Sequence, residues 1–389
     1  MERFDVLIAG AGPAGSATAI HLARAGAKVL LLDRARFPRD KPCGGGLTGR
    51  ALRHAPCPVD SVVEHVVDRV CIRLRYGLSF TRRHSQPLIL MTQRRRLDLH
   101  LAEEAAALGA DFRDGVRVTG IETTEAHADV LLDRRTVRAD VLVGADGANG
   151  IVARAVGLGE DIVNGVALEG NARYGEIDGE IDERRVASTA VVELGVVPGG
   201  YGWVFPKGDH ANLGVGGWGD EGPRLREHLA RLCRAHGVDS GALTAVRGHR
   251  LPMRRLGAQP ARGRVLLVGD AAGLVDPLSG DGIYEAFVSA KLAAEAILAG
   301  DLASYADRLA ATLDHHASAS WAAKRALDRS AAACFWAARS PGVFGVVAGL
   351  LAGDVRHPGE ARGLARAPLR ALARLAARGA ATGTATRAS

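Results

Sequence analysis

Apolar and polar positions along the chain change their spacing several times, and each change predicts an element. Residues 4–9 (FDVLIA) are a short, mostly apolar run with strand character. Residues 13–24 (PAGSATAIHLAR) are helix-like, and 28–32 read as a second strand ending on Asp33. About 61 to 90 alternates unevenly (VCIRLRYGLSF, then PLILMT) and predicts strands. Residues 94–107 (RRRLDLHLAEEAAA) predict a helix closed by Gly109. Strands follow at about 116–121, 130–132 and 141–144, and GADGANGIVAR then turns into a helix. The span 161–258 is strand-rich with one helix near 223–235; 265–268 returns as a strand, and the pattern beyond Ile283 is mainly helical. Such interleaving predicts a discontinuous parallel-sheet α/β domain, interrupted by a mostly antiparallel sheet domain and followed by a helical C-terminus.

The turn after the first strand carries the first chemistry. Gly10, Gly12 and Gly15 spell G-x-G-x-x-G (IAGAGPAG) between strand and helix. Gly10 permits a tight turn, and Gly12, beside Pro13 and Ala14, lets backbone N–H groups approach a pyrophosphate. Gly15 lets helix and strand pack closely. Asp33 lies about twenty residues on, where an acid meets a ribose hydroxyl, and Arg34 follows it. Gly214, Gly216 and Gly219 repeat the bare pattern, but ANLGVGGW alternates like a strand and no strand–helix–acid unit follows. A second dinucleotide fingerprint is not found. NADPH or another reductant is the expected electron source, and NADPH would have to bind without one.

The partner segment is VLLVGDAAGLVDPLSGDGI, residues 265–283. Asp270 ends a strand, placed to accept a hydrogen bond from a ribityl hydroxyl. Pro277, Gly280, Asp281 and Gly282 build a loop into a helix starting at Ile283, whose N-terminus would face the N1/O2 edge of an isoalloxazine. The two segments together describe FAD, so the parallel-sheet unit is read as a Rossmann-like FAD domain. Arg94, four residues before Asp98, is a candidate for the pyrophosphate; a solvated charge in the run 94–96 explains it equally well. Val118, on a strand of the same unit, is a further cofactor-binding candidate. The implied division is 1–70, 94–160 and 261–300 for the FAD domain, 71–93 and 161–260 for the substrate domain, and 301–389 for the helical region.

IAGAGPAG, Asp33, GADG and GDAAG together resemble the FAD-dependent group that includes aromatic hydroxylases. PCGGGLTGRAL (42–52) and YGWVFPK (201–207) are similar to signatures of the geranylgeranyl reductase family. The resemblance spans about residues 3 to 300. It implies a FAD domain plus a sheet domain covering the flavin, and saturation of isoprenoid double bonds in lipids, chlorophyll precursors or quinones. Asp281 stands where the family has glutamate. Halogenases carry a related strand, but Tyr201 and Phe205 follow the reductase version, and no isolated lysine is assignable as a halogenating residue.

Aromatic residues are 4% of the chain, yet Tyr201, Trp203 and Phe205 share one face of a single strand. With Pro206 they are the candidate substrate wall, and Gly200 and Gly202 are expected to leave space on the opposite face. An apolar wall suits a polyprenyl chain; an aromatic core strand is the plain alternative. Cys43 and Gly44 lie in a loop able to approach a flat ring. Cys43, Tyr201 or a held water is the candidate proton source for alkene reduction; a small residue fitting a crowded loop explains Cys43 as well. A flavin monooxygenase or halogenase, and a non-catalytic flavin-bearing lipid-binding protein, are the rival readings.

At 389 residues, 47% hydrophobic and 24% charged, the chain suits a globular protein of two domains. Five cysteines (Cys43, Cys57, Cys71, Cys233, Cys334) form no C-x-x-C pair, so no metal site is expected, and a reducing cytoplasm suits them. No signal peptide is expected, and residues 343–352 form an apolar run too short to span a membrane. Of the net charge of +7, +5 lies in residues 354–389, so nucleic-acid binding by the body is not indicated. Arg362, Arg366, Arg370, Arg374 and Arg378 recur every four residues opposite Leu364, Leu369, Leu372 and Leu375. Such a helix lies on an anionic membrane surface or packs its leucines on the protein's own body.

Overall fold

The computed structural model describes residues 1–389 except 134, 161, 175–187, 356–364 and 378–389. The interleaved pattern folds as mixed α/β with three sheets and a helical C-terminal region. The first sheet is built around Glu2–Ala9, flanked in parallel by Thr136–Gly144 and Val29–Leu32; Val265–Leu267 and Asp111–Arg113 extend it on the two sides. Its central strands are buried on both faces. This is why 29–32 and 141–144 read as continuous apolar runs rather than alternations. The helices Pro13–Arg24, Arg94–Ala107 and Ile283–Leu298 pack on this sheet and on one another.

The second sheet has seven strands in the order Thr244–Arg254, Ile162–Arg173, His210–Trp218, Tyr201–Pro206, Thr189–Leu194, Arg69–Leu74, Leu78–Arg83. It is antiparallel except where Thr189–Leu194 runs parallel to Arg69–Leu74. The helix Leu225–Ala235 covers its outer face through Leu225, Leu229, Leu232 and Cys233. The uneven alternation in 61–90 has a physical cause: its strands divide between two sheets. Arg69–Leu74 and Leu78–Arg83 join the seven-stranded sheet. His65–Val67 and Ile89–Met91 pair with each other, and Gly46–Thr48 completes a small third sheet.

Beyond Ile283 the described chain is helical: Ser304–Arg329, Ala331–Arg339, Pro341–Ala352 and Arg366–Ala377. Ser330 and Ser340 cap the second and third of these by accepting from Ala333 N–H and Val343 N–H. Among the described residues no single helix is long and apolar enough to cross a membrane. Ala331–Arg339 and Pro341–Ala352 have the composition together, but meet at a bend of 93°. Arg366, Arg370 and Arg374 are exposed, while Leu369 packs with Val343 and Val346. Arg362, Leu364, Arg378 and the Leu375 side chain lie outside the described residues.

Phe287 is 1% exposed in the core shared by the flavin-loop helix and the first sheet. Phe287→Ala is expected to cost about 3–5 kcal/mol, read in urea unfolding as a lower midpoint at unchanged slope.

Candidate active site

The fingerprint turn is held by contacts that leave no room for a side chain. Gly10 has φ +109°, and a Cβ on Gly15 would stand 1.8 Å from the Gly10 carbonyl oxygen. That approach aims the N-terminus of Pro13–Arg24 at open space. Two guanidinium groups flank it: a Cβ on Gly12 would lie 3.5 Å from Arg39 and 3.7 Å from Arg94. Arg94 is not a solvated charge. It is 6% exposed and donates to both oxygens of the fully buried Asp98, at 2.7 and 2.8 Å. Arg39 reaches the same carboxylate at 2.8 Å and Asp33 at 3.4 Å. Asp33 accepts the N–H groups of Ala11 at 3.0 Å and Ala35 at 2.9 Å. Val118 follows two residues after Val116, whose N–H donates to the Asp33 carbonyl at 2.9 Å. Helix N-terminus, two arginines and an acid form a built site for a dinucleotide.

The second segment meets the same space. Asp270 is bound by Lys41 at 2.8 Å, with His249 at 3.6 Å. Burial would raise its pKa, but the Lys41 and His249 charges outweigh it and hold the carboxyl well below the usual carboxylate range. Asp276 ties the following loop by accepting from Leu278 N–H, Ser279 N–H and the Ser279 hydroxyl. Gly280 has φ +69°, and Asp281 caps Ile283–Leu298 through the Ile283 N–H at 2.9 Å.

Both segments border one cavity of about 830 Å³. Its wall includes Gly10, Gly12, Pro13, Ala14, Asp33, Arg34, Cys43, Gly44, Arg94, Val118, Asp270, Gly280, Asp281, Gly282 and Ile283. Tyr201, Trp203 and Phe205 line it too, with neighbouring ring centroids 6.0 and 6.3 Å apart. Two expected site residues do not line it. Gly15 is packing only, as its fingerprint role requires. Pro206 is buried on the other face of its strand with Val204, because side chains alternate; its assignment to the substrate wall is corrected. The opposite face is not open space either. A Cβ on Gly202 would lie 3.1 Å from Leu232, so the helix Leu225–Ala235 fills it. The glycines of the His210–Trp218 strand gain a purpose: a Cβ on Gly214 would stand 2.1 Å from the Trp203 ring.

The Cys43 loop docks onto the aromatic strand. Cys43 N–H donates to Glu169 at 2.7 Å, and its carbonyl accepts from Lys207 at 3.4 Å; Lys207 also donates to Thr92 O at 2.8 Å. Burial pushes the Glu169 carboxyl up and the Lys207 ammonium down. A Cβ on Gly44 would touch the Phe205 ring at 3.0 Å. The Tyr201 hydroxyl donates to the Ser279 carbonyl, and burial pushes its pKa up, so the phenol keeps its proton at neutral pH. Reading the sequence missed Arg39, Lys41, Glu169, His249 and Lys324, which all line the cavity. For Lys324 a signal existed: only five of the fifty basic residues are lysines.

The FAD binding domain family matches residues 3–299. The chloroplastic geranylgeranyl diphosphate reductase of Oryza sativa subsp. japonica is 32% identical over 322 residues, 77% of this chain and 67% of that protein. This chain belongs to the geranylgeranyl reductase family of FAD-dependent oxidoreductases. The menaquinone reductase of Mycolicibacterium smegmatis is 33% identical over 356 residues, 84% of each chain. A geranylgeranyl bacteriochlorophyll reductase-like protein of Thermoplasma acidophilum has the same fold, with a TM-score of 0.79 at 24% identity, covering 96% of this chain and all of that one. The flavin-dependent brominase Bmp2 shares it too, at TM-score 0.73 and 19% identity, covering 97% and 99%. The cradle at Gly10–Gly12, the paired arginines and the flavin loop fit FAD, as membership of this family requires.

Beneath the flavin loop sits a buried charge cluster that the sequence reading did not anticipate. Arg50 lies 3.8 Å from Glu285 and 3.9 Å from Asp281, and donates to His316 Nε2 at 2.6 Å. The donor atoms of Asp276, Glu285 and His316 lie within 4.8 Å of one another, a spacing open to a metal ion, but Arg50 already supplies positive charge there. Burial drives the Glu285 carboxyl well above its ordinary pKa. An acid with a raised folded pKa binds its proton more tightly folded than unfolded. Stability is therefore full below the unfolded value near 4.3 and falls as pH rises toward the folded value. Glu285→Gln is expected to match the parent near pH 4 and to exceed it in urea midpoint at pH 8.

Arg94→Gln should keep the fold by circular dichroism and weaken FAD binding about thirtyfold, read by flavin fluorescence titration.

Proposed function

We propose that this chain reduces carbon–carbon double bonds in the prenyl chain of a lipid- or quinone-like substrate. The observation that carries the reading is continuity: one cavity runs from the dinucleotide cradle to a wall of Val70, Ile72, Leu194, Leu327, Val347 and Leu351. An apolar wall of this kind offers area without hydrogen bonds, as a polyprenyl chain requires. The names of the relatives support the same class.

Reduced FAD, when bound, supplies a hydride at its N5. The protein's own residues do the rest. Arg94, Arg39 and the helix N-terminus would hold the pyrophosphate, and Asp33 and Asp270 would orient the ribose and ribityl hydroxyls. Tyr201, Trp203 and Phe205 press the substrate chain toward the flavin loop and exclude water. Tyr201, protonated and hydrogen-bonded to the loop at Ser279, holds a proton beside the reacting alkene; Cys43 is the second candidate. NADPH or another reductant would be the source of the electrons. Peripheral contact with an anionic membrane through the exposed arginines of Arg366–Ala377 would bring the protein to such substrates.

The test is anaerobic. Dithionite-reduced protein mixed with geranylgeranyl compounds should regain oxidised-flavin absorbance and yield products heavier by about two mass units per bond. Turnover that instead requires oxygen would assign the site to monooxygenation or halogenation. A flavin left reduced by every prenyl compound would leave a lipid-binding flavoprotein.

A further inference from the structure

Two of the three aromatic rings on the strand Tyr201–Pro206 are braced by loops of the FAD domain. The Tyr201 hydroxyl donates to the Ser279 carbonyl, and the Phe205 ring lies against Gly44. Trp203, between them, is braced by its own sheet. Trp203 and Glu169 both stand opposite Gly214, and Phe205 and Asn171 both stand opposite Asn212, so all of them lie on the sheet face that borders the cavity. The Trp203 ring rests on the Gly214 backbone, where no side chain intervenes. Its indole N–H points to the next row and donates to Asn212 Oδ1 at 2.8 Å. An indole N–H is a donor only, so it dictates which way the Asn212 amide faces. Asn212 Nδ2 then donates to Asn171 Oδ1 at 2.9 Å. The same amide favours the charge of Glu169, which holds the Cys43 N–H. Asn212 is 2% exposed and Trp203 8%. A buried indole N–H without an acceptor is costly. Gly214 backs the ring, and Tyr201 and Phe205 flank it, so a ring that lost Asn212 has the cavity as its free direction.

We propose that Asn212 is the positioning residue that holds the Trp203 indole flat on the sheet, and so determines which chain fits between the aromatic wall and the flavin loop. The inference rests on the prenyl-reductase reading and deepens it. Asn212 is not part of the cavity wall, so it acts on a substrate only through the ring. With the hydrogen bond in place, the middle of the wall is a fixed surface that a prenyl chain meets without reorganisation. Without it, the indole turns toward the cavity to find a partner for its N–H and takes up space the chain needs.

The experiment compares Asn212→Leu, Trp203→Phe and the double variant, all FAD-loaded, by near-ultraviolet circular dichroism and by titration with geranylgeraniol followed in the flavin absorbance. The parent spectrum minus that of Trp203→Phe is the signal of the held indole, and it should be lost in Asn212→Leu. Asn212→Leu should bind FAD like the parent and geranylgeraniol about tenfold more weakly. In the Trp203→Phe background the same substitution should change geranylgeraniol affinity by less than about twofold. Asn212→Ala supplies the same comparison if Asn212→Leu does not fold. An indole signal that survives in Asn212→Leu would overturn the proposal. An equally large loss of affinity in the Trp203→Phe background would overturn it too, because it marks a structural role that bypasses the ring. So would unchanged geranylgeraniol binding once the signal is lost. If the parent binds no prenyl compound, the prenyl reading fails on its own; an indole signal lost in Asn212→Leu then still supports the hold, and a signal kept still overturns it.

Discussion

The peptide at Cys43 is gripped from both sides by the substrate sheet, and the placement of the whole site depends on that grip. Its N–H donates to the Glu169 carboxylate and its carbonyl accepts from the Lys207 ammonium, with both side chains largely out of water. Hydrogen bonds to charged groups are stronger than neutral ones. Each charge also depends on the other for compensation, since either alone would be a buried ion. The loop belongs to the chain segment that follows the fingerprint, whereas Glu169 lies in a strand and Lys207 just past the end of another, both more than a hundred residues later. The contact therefore sets how the aromatic strand stands relative to the dinucleotide cradle. The glycines complete the logic. Gly45 has φ +77°, and a Cβ on it would stand 2.1 Å from the Thr92 carbonyl oxygen, so only glycine allows the approach.

The parts of this site legible in sequence are those set by short-range geometry. A glycine turn between strand and helix predicts its own contacts, and Gly10, Gly12, Asp33 and Asp270 stand where the turn chemistry puts them. The alternation of a strand likewise placed Tyr201, Trp203 and Phe205 on one face. The same rule, applied one residue further, would have removed Pro206 from the wall. Arg94 was ambiguous in sequence because an arginine run looks solvated; the i,i+4 spacing to Asp98 was visible, but not the burial that turns it into a bidentate pair. Arg39, Lys41, Glu169 and His249 carry no local signal. Their roles arise where segments distant in sequence meet. The strands of 61–90 were visible as strands, yet nothing local says that neighbours in sequence enter different sheets.

The cluster beneath the flavin loop shows a second kind of hidden feature. Asp276, Asp281 and Glu285 sit within ten residues of one another in a loop and first helical turn, where acids read as ordinary N-terminal residues favoured by the helix dipole. Folding buries them against Arg50 and His316, from two other segments. One arginine cannot neutralise three carboxylates in a medium of low polarity, and burial pushes the Asp281 and Glu285 carboxyls up. Asp276 stays ionised because His316, Arg50 and Ser320 favour its charge. The loop that borders the cavity thus rests on a buried cluster of charged groups as well as on apolar packing.

The cavity is polar where the dinucleotide cradle lies and apolar where the C-terminal helices close it, and the asymmetry has an energetic consequence. At the cradle, arginines already paired to Asp98 hold their geometry before any ligand enters, so little reorganisation is needed on binding. At the apolar end the wall offers area but no direction, and a linear chain could slide along it with small change in energy.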